Sequence, residues 1–506
     1  MMVWYRQILL LLILLTGNLA IAQKGEKIEL VQANELEGVL KDGQNVRKLI
    51  GNVIFKQEGT MLYCDSAFQY ASSNSIEAFG RVRMNQADTV NLTSSYMKYN
   101  GDTKKGLAKG NVVLSDKTMT LTTDQMEYDL NSKQAFYNNG GTIKDGKSTL
   151  TSIRGIYNTK NKLFFFRKNV RIVNPSQNYV LTTDSLNYNS SSKIATFLGP
   201  TTIVSQDGII NATEGEYNIN TAVATLKGRS KVQSGAYTIE AARMYYDDKK
   251  KRGVAKGNVV LTSPKDSVTI YGEEAYYWSG EGTSKIFGNP LMKTLVGGDT
   301  VFLSADTLIS IDPPEKPLEK RLLAFNQTKI FKSDIQGVCD SLVYNFGDSA
   351  IYFYRRPALW NSGNQIIGDT ISIELVNNKV NKLNTRMNSF MISQDTLKHY
   401  NQVKGRNMVA YFSGNNVSRV DVSGNGESIY FALENDKRLI GMNKVECSNL
   451  SIRLEENKVK AISFVTKPDA VFVPPHQIVE PDTRLKGFTW RGKERPTKSE
   501  VTGGRN

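Results

Sequence analysis

Leu92-Thr-Ser-Ser-Tyr-Met-Lys-Tyr99, Leu121-Thr-Thr-Asp-Gln-Met-Glu-Tyr128 and Leu181-Thr-Thr-Asp-Ser-Leu-Asn-Tyr188 are three versions of one phrase. Their closing tyrosines belong to a longer series, Tyr70, Tyr99, Tyr128, Tyr157, Tyr188, Tyr217, Tyr246 and Tyr277, spaced 29 to 31 residues apart. A second series, offset from the first, runs Gly51, Gly80, Gly110, Gly140, Asn169, Gly199, Gly228, Gly257 and Gly288 at about the same interval. Self-similarity at a fixed period marks a repeat architecture, in which no unit buries its apolar face alone and neighbours supply the core.

The phrase has the composition of a strand. Met119 and Leu121 share one face by period-2 alternation, and so do Met126 and Tyr128, but 121 and 126 differ by an odd number. Both pairs face inward only if the strand bends or bulges at Thr122 to Asp124. The recurring Gly plays the same part in the alternate crossing. Polar clusters such as Asn100-Gly-Asp-Thr, Ser115-Asp-Lys-Thr and Asp129-Leu-Asn-Ser-Lys follow one another about every 14 to 16 residues and supply tight turns. The chain therefore reverses twice per repeat. The expected fold is all-β: an elongated antiparallel β-taco, or β-jellyroll, stacked with a period of about 29 residues. A right-handed parallel β-helix would need three turns per coil.

Asp312-Pro-Pro-Glu-Lys-Pro-Leu-Glu-Lys-Arg321 is charged and proline-rich and reads as a protruding loop. Beyond it the pattern resumes. Arg356-Pro-Ala-Leu-Trp with Gly368-Asp-Thr echoes Gly288-Asn-Pro-Leu-Met with Gly298-Asp-Thr, and Cys339-Asp-Ser echoes Cys64-Asp-Ser. The expected organisation is a leader at 1–22, a repeat block at 23–311, the loop at 312–321, a looser block at 322–466 and an irregular basic tail at 467–506. The leader rests on Arg6, the apolar run Ile8 to Leu15 and the small-x-small pattern Ala20-Ile21-Ala22, with cleavage before Gln23. Export and only three cysteines, Cys64, Cys339 and Cys447, leave no disulfide framework; many crossings apart, all three are expected to be free thiols.

The formal net charge is +15, which favours anionic partners such as phosphorylated lipid headgroups or acidic glycans; export disfavours nucleic acid. No catalytic, metal or cofactor site is expected. The two histidines, His399 and His476, lack ligand-spaced partners. Asp247-Asp248 before Lys249-Lys250-Lys251 reads as a hairpin tip, and Gly424-Asn-Gly426 as a turn. A glycosidase pair of distant carboxylates stays open on any such scaffold.

The run Gly51-Asn-Val-Ile-Phe with Tyr63-Cys-Asp-Ser, then Ala108-Lys-Gly-Asn-Val-Val with Leu121 to Tyr128, then Ala255-Lys-Gly-Asn-Val-Val, resembles the OstA-like family. The resemblance is clear over about residues 45–290 and looser to about 465. It implies a periplasmic jellyroll carrying the acyl chains of lipopolysaccharide, or another acylated anionic glycolipid, toward the outer membrane, docked edge to edge with transport components of similar fold. The candidate groove-lining residues are Tyr99, Leu121, Met126, Tyr128, Leu181, Tyr188, Tyr217, Ile239 and Tyr246. An exported structural or adhesive protein with no lipid cargo is the alternative. The first crossing, Lys27 to Val39, is short and charged, whereas Val46 to Phe55 reads as a good strand, so docking is expected at the N-terminal edge, between Val46 and Phe55.

Overall fold

A computed structural model describes residues 26–86, 90–206, 208–235, 237–296, 298–377, 379–414, 416–434, 438–455 and 458–504. The leader expected at 1–22 lies outside them. The chain divides into two compact units between positions 206 and 207. The proline-rich segment after Ile311 is a loop with one 3-10 turn, Pro317–Glu319, joining two strands inside the second unit.

In the first unit each crossing pairs antiparallel with the next, as Gln44–Gln57, Thr60–Tyr70, Ser75–Gln86, Val90–Asn100, Lys105–Ser115 and Met119–Asp129 do in turn. Every crossing breaks register near its middle. Between the pairs Lys109↔Gln125 and Val112↔Thr123, two residues, Gly110 and Asn111, face only Asp124. Gly110 and Asn111 are both left-handed (φ +75° and +50°), as are Gly51 and Asn52, Lys168 and Asn169, and Gly257 and Asn258. Two left-handed residues in succession turn the strand sharply, and glycine or asparagine tolerates that conformation best. A Cβ on Gly51 would also stand 2.6 Å from Asn34 Nδ2, so this position needs glycine on two counts.

The bend switches the buried face. Met119, Leu121 and Thr123 point inward before it, and Met126 and Tyr128 after it. This is the parity change expected at Thr122 to Asp124. Thr123 Oγ1 donates to the Gly140 carbonyl at 2.6 Å, satisfying backbone that the bulge removes from the ladder. The Cys-Asp-Ser echo has a related cause. Cys64 and Cys339 are buried beside the bend, and the next residue faces a cation of the following crossing: Asp65 binds Arg81 at 2.9 Å and Asp340 reaches Arg355 at 3.5 Å.

The second unit repeats the scheme from Gly208–Asn218 and Val223–Ser234 through to Leu439–Glu455. Where a proline follows the left-handed pair, the crossing splits into two strands. Gly288 and Asn289 precede Pro290, and Arg355 and Arg356 precede Pro357. Proline has no N–H for the ladder, so the strand stops there and resumes at Leu291 or Ala358. Gly424 and Asn425 (φ +78° and +53°) are another such bend, inside the strand Asn416–Leu433, and correct the expectation of a turn at Gly424-Asn-Gly426. Two spaced glycines resemble a turn, but here they flank a mid-strand corner.

Two other expectations change. The outermost N-terminal crossing consists of Glu29–Gln32 and Glu35–Lys41, which both pair along the outer side of Gln44–Gln57. Val46 to Phe55 is therefore paired on both sides and is not an edge. The segment after Lys467 opens with a strand, Asp469–Val473, paired with Leu439–Glu455; beyond it the chain is irregular but folds back onto the second unit, where Leu485 and Val501 are buried.

Candidate functional site

The interior of the first unit is built of columns, one residue per crossing. One wall runs Leu92, Leu114, Leu121, Ile143, Leu150, Ile172, Leu181 and Ile203 through successive cross-strand pairs. The facing wall runs Tyr99, Gly106, Tyr128, Ala135, Tyr157, Phe164, Tyr188 and Ala195. Small residues alternate with most of the rings, leaving room for each. Where two rings are adjacent they stack, as Tyr157 and Phe164 do at 4.0 Å.

The tyrosine hydroxyls close the fold. Tyr99 donates to Gln57 Oε1 at 2.6 Å, Tyr128 to Gln86 Oε1 at 3.2 Å, Tyr157 to Asp116 Oδ2 at 2.8 Å and Tyr188 to Asp145 Oδ2 at 2.7 Å. Each donor sits at the end of a crossing three beyond that of its acceptor. Three reversals place the two ends on opposite lips of the folded sheet, so these bonds fasten a seam. Lysines reinforce it: Lys104 meets Glu58 at 2.5 Å, Lys162 meets Asp116 at 2.6 Å and Lys193 meets Asp145 at 2.5 Å. Burial alone would raise the Asp116 carboxyl. Lys162, the Thr118 amide and the Tyr157 hydroxyl outweigh it and hold the group below the usual carboxylate range. Burial first, and the Asp116 and Asp145 charges second, push the Tyr157 and Tyr188 phenols up.

All nine candidate groove residues are interior, none more than 6% exposed. Tyr99, Leu121, Met126, Tyr128, Leu181 and Tyr188 stand in the first unit, where they pack in a filled core. Tyr217, Ile239 and Tyr246 stand in the second. Ile239 and Tyr246 border a mainly apolar cavity of about 90 Å³, together with Val232, Leu261, Tyr277 and Trp278. The Tyr277 hydroxyl is buried there with no hydrogen-bond partner among the described residues. The sequence reading missed the acceptors Gln57, Gln86, Asp116 and Asp145. They recur like the tyrosines but vary between amide and carboxylate, so their period is hidden.

Among the described residues no group of three or more His, Cys, Asp or Glu is placed to hold a metal ion. No helix among them is long and apolar enough to cross a membrane. His399 hydrogen-bonds Asp395 at 3.0 Å and stacks on Phe431. Lys250 and Lys251 pair with Asp247 and Asp248 at the expected hairpin tip.

Residues 25–179 and 175–242 match the model of a family described as OstA-like protein. No curated protein matches the chain. Among solved structures, LptH from Pseudomonas aeruginosa is described as the LptA homologous periplasmic component of the conserved lipopolysaccharide transport device. It aligns at 16% identity over 24% of this chain and 82% of that one. Its TM-score of 0.21 makes the likeness too slight to carry an argument.

Proposed function

We propose that this chain, OstA-like over residues 25–242, is a periplasmic lipid-binding bridge that moves lipopolysaccharide toward the outer membrane, with acyl chains held between its two sheets. The observation that carries the reading is the seam. An apolar interior runs crossing after crossing through the first unit, and its two lips are joined by side-chain bonds that can open without unpairing a strand.

Magnitudes favour such opening. Burying ten methylenes gains about 8 kcal/mol gross, whereas a hydrogen bond to a charged group contributes about 1.5–3 kcal/mol net. One acyl chain can therefore offset several seam bonds, provided that the filled core yields to it. The nine candidate residues would then line the opened groove. The basic excess would meet phosphorylated headgroups at the lips.

Edge-to-edge docking with a component of similar fold belongs to the same proposal. In the first unit the exposed edge is Glu29–Gln32 with Glu35–Lys41, where Val31, Leu36 and Leu40 are exposed. Unpaired edges of this kind add strands from other chains. The deciding experiment is lipid extraction and mass spectrometry of protein taken from its own periplasm. Stoichiometric acylated glycolipid is expected; its absence would leave the structural or adhesive reading standing.

A further inference from the structure

The second unit closes its interior by different means. One of its columns runs Gln336, Trp360, Gln365, Ile392, Gln402 and Ile429 through successive cross-strand pairs, so that glutamine takes every second place in an apolar wall. These amides are buried, and buried amides are costly without partners. The C-terminal segment supplies them. Gln402 donates to the Thr483 carbonyl at 2.7 Å and accepts from the Leu485 amide at 2.9 Å. Gln365 donates to the Thr489 carbonyl at 2.8 Å and accepts from the Arg491 amide at 2.6 Å. Gln336 accepts from Arg495 Nε at 2.8 Å.

The segment therefore runs back across the crossings; Gln402 and Gln365 each bind its main chain through both a carbonyl and an amide, and Gln336 holds the Arg495 side chain. The segment's apolar side chains enter the interior between them. Leu485 is buried among Phe390, Ile392, Ile429, Phe431 and Met442, with Phe488 and Trp490 packed beside it. Farther on, Val501 meets Leu291 and Phe302 from a single helical turn, Lys498–Thr502, closed by a Thr497–Glu500 capping box. Arg484 and Lys486 stay at the surface. A segment that turns Leu485 and Val501 inward while Arg484 and Lys486 stay outside is the inverse-charge counterpart of an acylated anionic ligand lying in the same place.

We propose that residues 483–502 are a strap built into the chain, filling the place an acyl chain would take in the second unit, and that this unit admits such a ligand only when the strap withdraws. The proposal rests on the lipid-carrying reading above and deepens it: the lips of the first unit are fastened by side-chain bonds between crossings, and the second unit is gated by its own C-terminal segment. The gating needs no rearrangement of the sheet, because no strand pairing holds residues 483–502.

The test uses a diazirine-bearing palmitate and maps adducts by mass spectrometry on the whole chain and on a Leu485→Ser/Trp490→Ser double variant. Adducts in the intact chain are expected in the first unit, at the level of Tyr99 to Tyr188, with few at Phe390 to Met442. The double variant is expected to raise labelling of Phe390 to Met442 at least tenfold. Unchanged labelling there, or heavy labelling there in the intact chain, overturns the strap while first-unit adducts keep the carrier reading alive. No adducts in either protein would overturn the carrier reading and the strap with it. A second measurement uses limited proteolysis. Tryptic cleavage after Arg484, Lys486 and Arg491 should run several-fold faster in the double variant than in the intact chain, and an unchanged rate at all three would also overturn the proposal.

Discussion

The Tyr188 hydroxyl donates to Asp145 across 43 residues of sequence, and Lys193 reaches the other oxygen of the same carboxylate. In the Tyr157, Asp116 and Lys162 group both donors share Asp116 Oδ2, and the Thr118 and Met119 amides take Oδ1. These joins account for Tyr99, Tyr128, Tyr157 and Tyr188: each ring fills the interior, while its hydroxyl reaches the opposite lip, which phenylalanine could not do.

Removing one member at a time should grade the seam. Tyr188→Phe keeps the ring and the Lys193–Asp145 pair, so a loss of about 1–2 kcal/mol is expected. Asp145→Ala leaves Lys193 and the phenol without their partner, and about 3 kcal/mol or more is expected. Urea midpoints of the two variants check the order. A Tyr188→Phe loss exceeding that of Asp145→Ala would show that ring packing, not the seam, dominates this site.

Acid should act on the seam through Asp116. Its folded-state pKa is depressed, so its contribution is fully present above the unfolded value of about 4 and is lost as pH falls below it toward the folded value. The stability gap between the native chain and Asp116→Asn should therefore be constant from pH 7 to 5 and shrink below pH 4. Tyr157 works in the opposite sense. Its pKa is raised, so its contribution is complete below pH 10 and fades as pH climbs above that. Denaturant titrations at pH 7, 5, 4 and 3 test the first limb; a gap that widens on acidification would contradict it.

The repeat, the two reversals per period and the mid-strand bend were legible because each writes a fixed residue type at a fixed spacing. Gly110 must adopt a left-handed conformation, and Leu121 and Met126 must both turn inward. The seam was half legible. Tyr128 and Tyr188 stood out, but Gln86 and Asp145 did not, since any strong acceptor serves. The strap was not legible at all. Pro474, Pro475 and Pro481 mark a segment unfit for a central strand, and the same absence of strand pattern fits both a loose tail and one held by side-chain amides. Gln365 and Gln402 each look like a polar defect in an apolar strand until the chain that satisfies them is placed.

Cysteine reactivity should separate the three thiols. Burial pushes Cys64 and Cys339 up to about 12, so almost no thiolate exists at pH 8 and the side chains are shielded as well. Cys447 is only partly buried and its thiol is raised less. A chromogenic disulfide reagent at pH 8 should modify Cys447 first and the other two only on unfolding, with three thiols in all under denaturing, non-reducing conditions. Fewer than three would mean a disulfide and would break the crossing register described above.

The N-terminal edge gives the last prediction. Gln44–Gln57 carries Glu29–Gln32 and Glu35–Lys41 on one side and Thr60–Tyr70 on the other, so Val53 and Ile54 sit inside the ladder. Proline at Val53, whose side chain is fully buried, should cost about 3 kcal/mol or more of stability. It is therefore no test of docking. Among the described residues Glu35–Lys41 pairs only with Gln44–Gln57, and Leu40, 74% exposed, is the most solvent-accessible apolar residue on it. Natural edges are usually blunted by charge or covered, and an uncovered apolar side chain on one marks a surface used for pairing. Photoreactive residues at Leu36 and Leu40 should give adducts with a partner of similar fold in the cell envelope. The same probe at Val459 or Phe472, on the strands that end the second unit, should not capture that partner. Capture only from Val459 and Phe472 would reverse the polarity, and capture from neither end would remove edge pairing from the proposed mode of assembly.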